Sequence, residues 1–399
     1  MKHPIFCRTN VTNASGITFA GLQYNIASSW DASEPNVRQV AAADGVLSGF
    51  YVMLDGAPGT AASGRGYVFE VMKNGVATGL AVSIFDTATS GVDNSVQVPY
   101  VAGDTLSLRS TATLTPASRG FSCSFDNESS NQNLFSGSTV TYANNATRYL
   151  GIMMSIVAAS PLGGIASLIP TDGVIRNARI RFPNVPGATK SWTVTLVKNG
   201  TDTALVVVLS GTNNEAVNSA DSVSVVAGDV VYWKVVPTNT PTASRGSIAC
   251  EFVPAIQGES IQCSSVSTNQ SATNANYVGV GASTTSYSTV EASRGNHTPT
   301  IPYVLKKLRA LLDTAPSAGK SWNISLRNNG ASTGVAATIA DAATTASDVV
   351  NVATSVANTL LSILIQGVST PTVSVGYYAF VTYKEPESNG NFLMFMRAK

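Results

Sequence analysis

Apolar and polar residues alternate with a period of two along most of this chain, and the alternation falls into a phrase written three times. The first copy reads Gly66-Tyr-Val-Phe-Glu-Val-Met-Lys-Asn-Gly75. The second reads Lys190-Ser-Trp-Thr-Val-Thr-Leu-Val-Lys-Asn-Gly200, and the third Lys320-Ser-Trp-Asn-Ile-Ser-Leu-Arg-Asn-Asn-Gly330. β-Branched residues on alternate positions with Asn-Gly at the exit predict a strand feeding a tight hairpin. An earlier alternating segment precedes each phrase, at residues 46–55, 174–182 and 304–313. A turn rich in Pro, Gly and Ala separates the two. A second strand follows Asn-Gly at residues 81–85, 204–209 and 334–339.

Further on stand Val101-Ala-Gly-Asp104 and Val226-Ala-Gly-Asp229, and in the third copy Val356-Ala-Asn-Thr-Leu360. Gly before Asp is a turn device, with glycine taking the positive φ and Asp104 or Asp229 capping nearby N–H groups. Each copy closes with a long segment, at 109–125, 234–252 and 363–383. This grammar predicts roughly seven to nine short strands per copy, the rhythm of an antiparallel sandwich or jelly roll. No segment has a helical period. The Ala-rich stretch 340–358 aligns with 86–104, which predicts loop plus strand there.

The marker glycines Gly75, Gly200 and Gly330 lie a domain's length apart, far beyond a solenoid period. The chain therefore divides into three tandem antiparallel β-sandwich, jelly-roll-like domains, an all-β protein: 1–128, 129–256 and 257–385, with a C-terminal tail or arm at 386–399. The linkers are short, so the units are expected to touch, in a row or around a threefold axis. Trp192 and Trp322 occupy equivalent places, with Tyr67 in the first copy. A large aromatic inside such a strand predicts a core residue, and the competing reading is a platform for a carbohydrate ring. In the tail, Phe392, Leu393, Met394, Phe395 and Met396 are apolar on consecutive positions. Such a run wants burial on both faces. It reads as a last strand on the third unit, or as a partner-binding arm that adds to a neighbouring subunit's sheet.

Charged residues are 12% of the 399, about half the usual share. Net charge is +1 and no basic stripe carries interleaved aromatics, which argues against nucleic acid. The run Lys306-Lys307-Leu308-Arg309 reads as a solvated strand face. The N-terminus lacks a signal-peptide core, so no classical secretion is expected. Residues 150–169 are apolar, but the equivalent span of the first copy is polar. A buried strand and loop is expected there, not a membrane span. Cys7, Cys123, Cys250 and Cys263 show no zinc spacing and read as buried thiols. A bridge between the first and last strands of a unit is the alternative. The only histidines are His3 and His297. That makes a catalytic triad improbable, and no phosphate loop or nucleophile elbow is present. The carboxylate pair a glycosidase needs could come from Asp93, Asp104, Asp221 and Asp229, but Asp104 and Asp229 are turn residues by position. Neither an enzyme nor a cofactor is expected.

The Pro-Gly-Ala turn, Lys-Ser-Trp, Lys-Asn-Gly and Ala-Gly-Asp together resemble tandem β-sandwich repeat domains of bacteriophage virion surface proteins. The third copy departs from this pattern, lacking Gly-Asp and the closing Ala-Ser-Arg-Gly, which leaves its outer turn unassigned. The resemblance implies a virion structural protein made in the host cytoplasm. Its first reading is a capsid decoration or cement protein that binds the major capsid protein or other virion subunits, with self-association through the arm. The alternative it implies is a tail or head fibre that binds receptors among host surface glycans.

Overall fold

The computed structural model describes residues 1–9, 11–23, 25–26, 30–138, 140–160, 164–281, 283–284 and 286–385. The tail residues Phe392 to Met396 lie outside the described residues. The chain is all-β: regular structure is strand throughout, apart from single 3-10 turns at Glu34–Asn36 and Glu291–Ser293. Six sheets form three facing pairs. In the first pair one sheet runs Lys2–Thr9, Phe121–Glu128, Gly45–Leu54, Ser90–Asp93. The other runs Ile17–Ala20, Thr105–Thr113, Gly66–Lys73, Val76–Phe85. Numbering these eight strands in chain order gives sheets 1-8-3-6 and 2-7-4-5, the double Greek key of a jelly roll.

The order recurs twice. In the second repeat Gln132–Gly137, Ser247–Pro254, Gly173–Arg181 and Glu215–Val225 face Arg148–Leu150, Val230–Thr238, Gly187–Lys198 and Thr201–Gly211. In the third, Glu259–Val266, Gly376–Tyr383, Val304–Leu312 and Thr345–Thr354 face Asn276–Val278, Leu360–Val368, Ser317–Asn328 and Ala331–Asp341. Each repeat also has two or three very short strands, such as Gln39–Val40, so the pattern undercounted them. Two-residue strands carry too little alternation to be read. The stretch 340–358 holds the strand Thr345–Thr354, as its alignment predicted.

Trp192, Trp322 and Tyr67 are fully buried core residues. The Trp322 indole donates to the Thr372 carbonyl at 3.1 Å, and the Tyr67 hydroxyl to the Ala117 carbonyl at 3.0 Å. The Asn-Gly hairpins take the expected left-handed pair, with Asn74 at φ 53° and Gly75 at 81°, and the same at Asn199 and Asn329. Asp104 and Asp229 behave as turn residues: their carboxylates accept from the Val101 and Val226 amides, both at 2.9 Å. Each also accepts from the Asn amide of its hairpin, at 2.7 and 2.6 Å.

The third repeat keeps this turn with different chemistry. Asn358 adopts φ 58° where Gly103 and Gly228 stand. Asn328 replaces the lysine of Lys73 and Lys198, and its side-chain oxygen takes the Val356 amide at 2.9 Å. Its amide then donates to Thr359 at 2.8 Å, the residue in place of the Asp. The Lys73–Asp104 and Lys198–Asp229 ion pairs, at 3.9 and 3.8 Å, have become an amide–hydroxyl pair without loss of the backbone cap.

The three sandwiches close on one another. Gln39–Val40 of repeat 1 lies on the outer sheet face of repeat 2, Ser167–Leu168 of repeat 2 on that of repeat 3, and Asn296–His297 of repeat 3 on that of repeat 1. Val40 N donates to Ser247 Oγ at 3.0 Å, and His297 N to Ser122 Oγ at 3.1 Å, in the same place of each junction. The cores exchange side chains in the same sense. Phe6 packs into the core of repeat 3, Phe135 into that of repeat 1, and Ile261 and Cys263 into that of repeat 2. The units thus form a closed pseudo-threefold ring. Each opening strand is buried on both faces.

Candidate functional site

The junctions concentrate the buried charge of the molecule, and each is built on a bulge. The third long strand of every repeat carries one, with a left-handed residue at Gly49, Asn177 or Lys307 (φ 59°, 53° and 56°). Bulges re-aim side chains, and beside each of these sits a buried acid.

At the junction of repeats 1 and 3 the acid is Asp126. It accepts from the Tyr303 hydroxyl at 2.8 Å and from Thr300 at 3.0 Å. Burial pushes its carboxyl up to about 6, although those hydroxyls and more distant Lys2 and Lys384 pull the other way. At the junction of repeats 1 and 2, Glu251 accepts from Asn131 at 2.6 Å, Asn177 at 2.7 Å and Arg176 at 2.8 Å.

At the junction of repeats 2 and 3 the acid has moved to the opening strand, as Glu259. Its side chain is fully buried between Lys306 at 2.9 Å and Lys307 at 2.7 Å. Thr171 of repeat 2 donates to it at 2.6 Å, the counterpart of Thr300. Burial alone would raise this carboxyl. The bonds from Lys307, Thr171 and Lys306 outweigh it and hold the acid below its usual range.

This corrects the expectation for residues 306–309. The run is an internal interface, not a solvated face: Lys307 also contacts Thr171 at 2.9 Å, and Arg309 donates to the Pro170 carbonyl at 3.3 Å. A charge run looks solvated until the partner carboxylate, 47 residues earlier in the chain at Glu259, is known. The signal was present as the single Glu in the third copy's otherwise uncharged opening strand.

Outward-facing features repeat as well. Val101, Val226 and Val356 are 56%, 56% and 59% exposed at equivalent turn positions, retained although the turn beneath them changed. The edge strands carry further exposed apolar residues, namely Val92, Val217 and, in repeat 3, Val349, Val350 and Val352, with Val350 at 83%. Exposed edge strands are surfaces that natural proteins pair or cover.

All four cysteines are buried free thiols, and Cys7 stands opposite Cys123 in the sheet. His3 is buried, its Nδ1 2.6 Å from Ser260 Oγ, and burial followed by the nearby N-terminal ammonium lowers it to about 3. Burial and then Arg8 lower His297 to about 4. Asp93 caps the amides of Ser95 at 2.9 Å and Ala81 at 3.1 Å. Among the described residues no three His, Cys, Asp or Glu cluster as metal ligands. No helix there is long and apolar enough to cross a membrane, and residues 150–160 and 164–169 are mostly buried loop and short strand.

The fold and junctions thus define an all-β, multi-sandwich protein whose polar machinery serves its internal contacts. Compared with known proteins, the chain matches no protein-family model, and no curated protein aligns with it significantly.

Proposed function

We propose that the chain is a virion structural protein, a decoration or cement protein that binds the major capsid protein or other subunits of a shell. The observation that carries this reading is the closed ring of three jelly rolls. One chain presents the same fold three times about a pseudo-threefold axis, the geometry that suits threefold positions of an icosahedral lattice. Jelly rolls also serve in lectins and cupins, so the fold is an analogy and the ring is the argument. Adhesion would rest on apolar area. Val101, Val226, Val356 and the valine-bearing edges supply it, joined by the segment Phe392–Met396.

The test is binding to intact, expanded capsids and their melting temperature with and without the chain. Saturable binding that raises the capsid transition supports the reading. Binding to host cells and not to capsids replaces it with the fibre, glycan-contacting role. Val101→Ser, Val226→Ser and Val356→Ser together should leave the chain's own unfolding within about 1 kcal/mol, since all three are exposed. The same triple variant should weaken capsid binding at least tenfold. Deleting residues 390–399 separates the arm's share from that of the ring.

A further inference from the structure

The ring also contains a site that its pseudo-symmetry allows to be interpreted. A pocket of about 240 Å³ opens where repeat 1 meets repeat 3. Leu54, Phe121 and Leu360 form part of its apolar wall, with Arg8 and His297 among its polar lining and the exposed Asp55 also lining it. Arg8 is 5% exposed. Its terminal nitrogens donate to the Gly295 and Ala292 carbonyls at 2.5 and 2.8 Å, while its buried Nε has no partner. The buried Nδ1 of His297 has none either.

At the junction of repeats 3 and 2 the equivalent position carries a side chain of the protein itself. Ser122 stands opposite Met53 in repeat 1, and Tyr377 stands opposite Leu311 in repeat 3. Tyr377 is 1% exposed and belongs to the core of repeat 2. Its phenol hydrogen-bonds Asp313 and meets the backbone of Gly164. Asp313 follows Leu312 as Asp55 follows Leu54. The protein thus shows what one such junction accepts: a phenol ring with its hydroxyl near a carboxylate.

We propose that the pocket between repeats 1 and 3 receives a tyrosine side chain presented by a partner protein. The size fits, because a cavity of about 150 Å³ already holds a benzene ring. The chemistry fits too. A phenol both donates and accepts. Asp55, which lines the pocket at the position Asp313 holds beside Tyr377, offers the hydroxyl a carboxylate acceptor. This inference does not rest on the virion reading.

The test is titration of the full chain with N-acetyl-L-tyrosinamide and with p-cresol, followed by saturation-transfer NMR and calorimetry. Both bind saturably, and N-acetyl-L-phenylalaninamide, lacking the hydroxyl, binds about fivefold more weakly. Ser122→Tyr writes the plug of repeat 3 into repeat 1 and abolishes binding. Met53→Trp narrows the same pocket from its wall and supplies the reading if the first variant does not fold. Absence of saturable binding, or binding unchanged in the folded variants, overturns the proposal. Binding of p-cresol without N-acetyl-L-tyrosinamide overturns it as well, since the pocket would then take a free phenol and not a presented side chain.

Discussion

Asp126 and Glu259 do the same job at two junctions of one ring, with opposite electrostatics. Both are buried acids beside a bulge, and both accept a threonine hydroxyl from the next repeat, Thr300 or Thr171. Asp126 faces hydroxyls and sits high, at about 6. Glu259 faces two ammonium groups and sits low. Hydroxyls satisfy a carboxylate's lone pairs without neutralising its charge, so burial wins at Asp126. Two lysines within 3 Å reverse the outcome at Glu259. Lys307 holds a left-handed backbone to do this, which costs a non-glycine residue about 1 kcal/mol.

The largest expected effect tests the ionic side of this contrast. Glu259→Gln leaves Lys306 and Lys307 partly buried without a counter-charge, and should lower stability at pH 7 by about 4 kcal/mol. Urea unfolding of the full chain measures it. Adding Lys306→Met and Lys307→Met should restore part of the loss, and a cycle without coupling would mean the three charges act independently.

Next comes pH. The folded pKa of Asp126 exceeds its unfolded value, so between about pH 3.8 and 6 the folded state holds the extra proton. Its contribution is full below pH 3.8 and is lost as pH rises through 6, up to about 3 kcal/mol. Asp126→Asn removes this titration, so thermal unfolding should favour the variant increasingly from pH 4 to 7.5. Glu259 runs the other way: its stabilisation is present above about pH 4.5 and disappears as pH falls through its depressed folded pKa. The gap between wild type and Glu259→Gln should therefore shrink in acid. Parallel slopes for the two acids would break the comparison.

The smallest effect lies at the rebuilt turn. Asn358→Ala should cost about 1 kcal/mol at φ 58°, while Asn358→Gly stays within about 0.5 kcal/mol of wild type. Equal losses from both would place the turn's stability in the Asn358 side chain instead of its backbone.

Much of one repeat was legible. The Asn-Gly hairpins, the Asp104 and Asp229 caps and the buried Trp192 and Trp322 follow from local rules, because each concerns residues a few positions apart. The junctions were harder. Lys306 and Lys307 look solvated when only their own strand is considered. A better signal existed in Phe6-Cys7 and Leu134-Phe135, apolar neighbours on strands expected to alternate. A strand apolar on both faces needs cover on both, and these strands open each repeat.

By itself the sequence determined the threefold repetition, the all-β class and the turns, since period, glycine and asparagine act within a few residues. Tertiary structure alone decided that the repeats close into a ring, that Glu259 meets two lysines while Asp126 accepts from two hydroxyls, and that Tyr377 fills its junction where Ser122 leaves a pocket. The ring and the Tyr377 plug depend on which face of a strand meets another repeat, and the Glu259 pairing on a strand 47 residues further along, distances that no local pattern encodes.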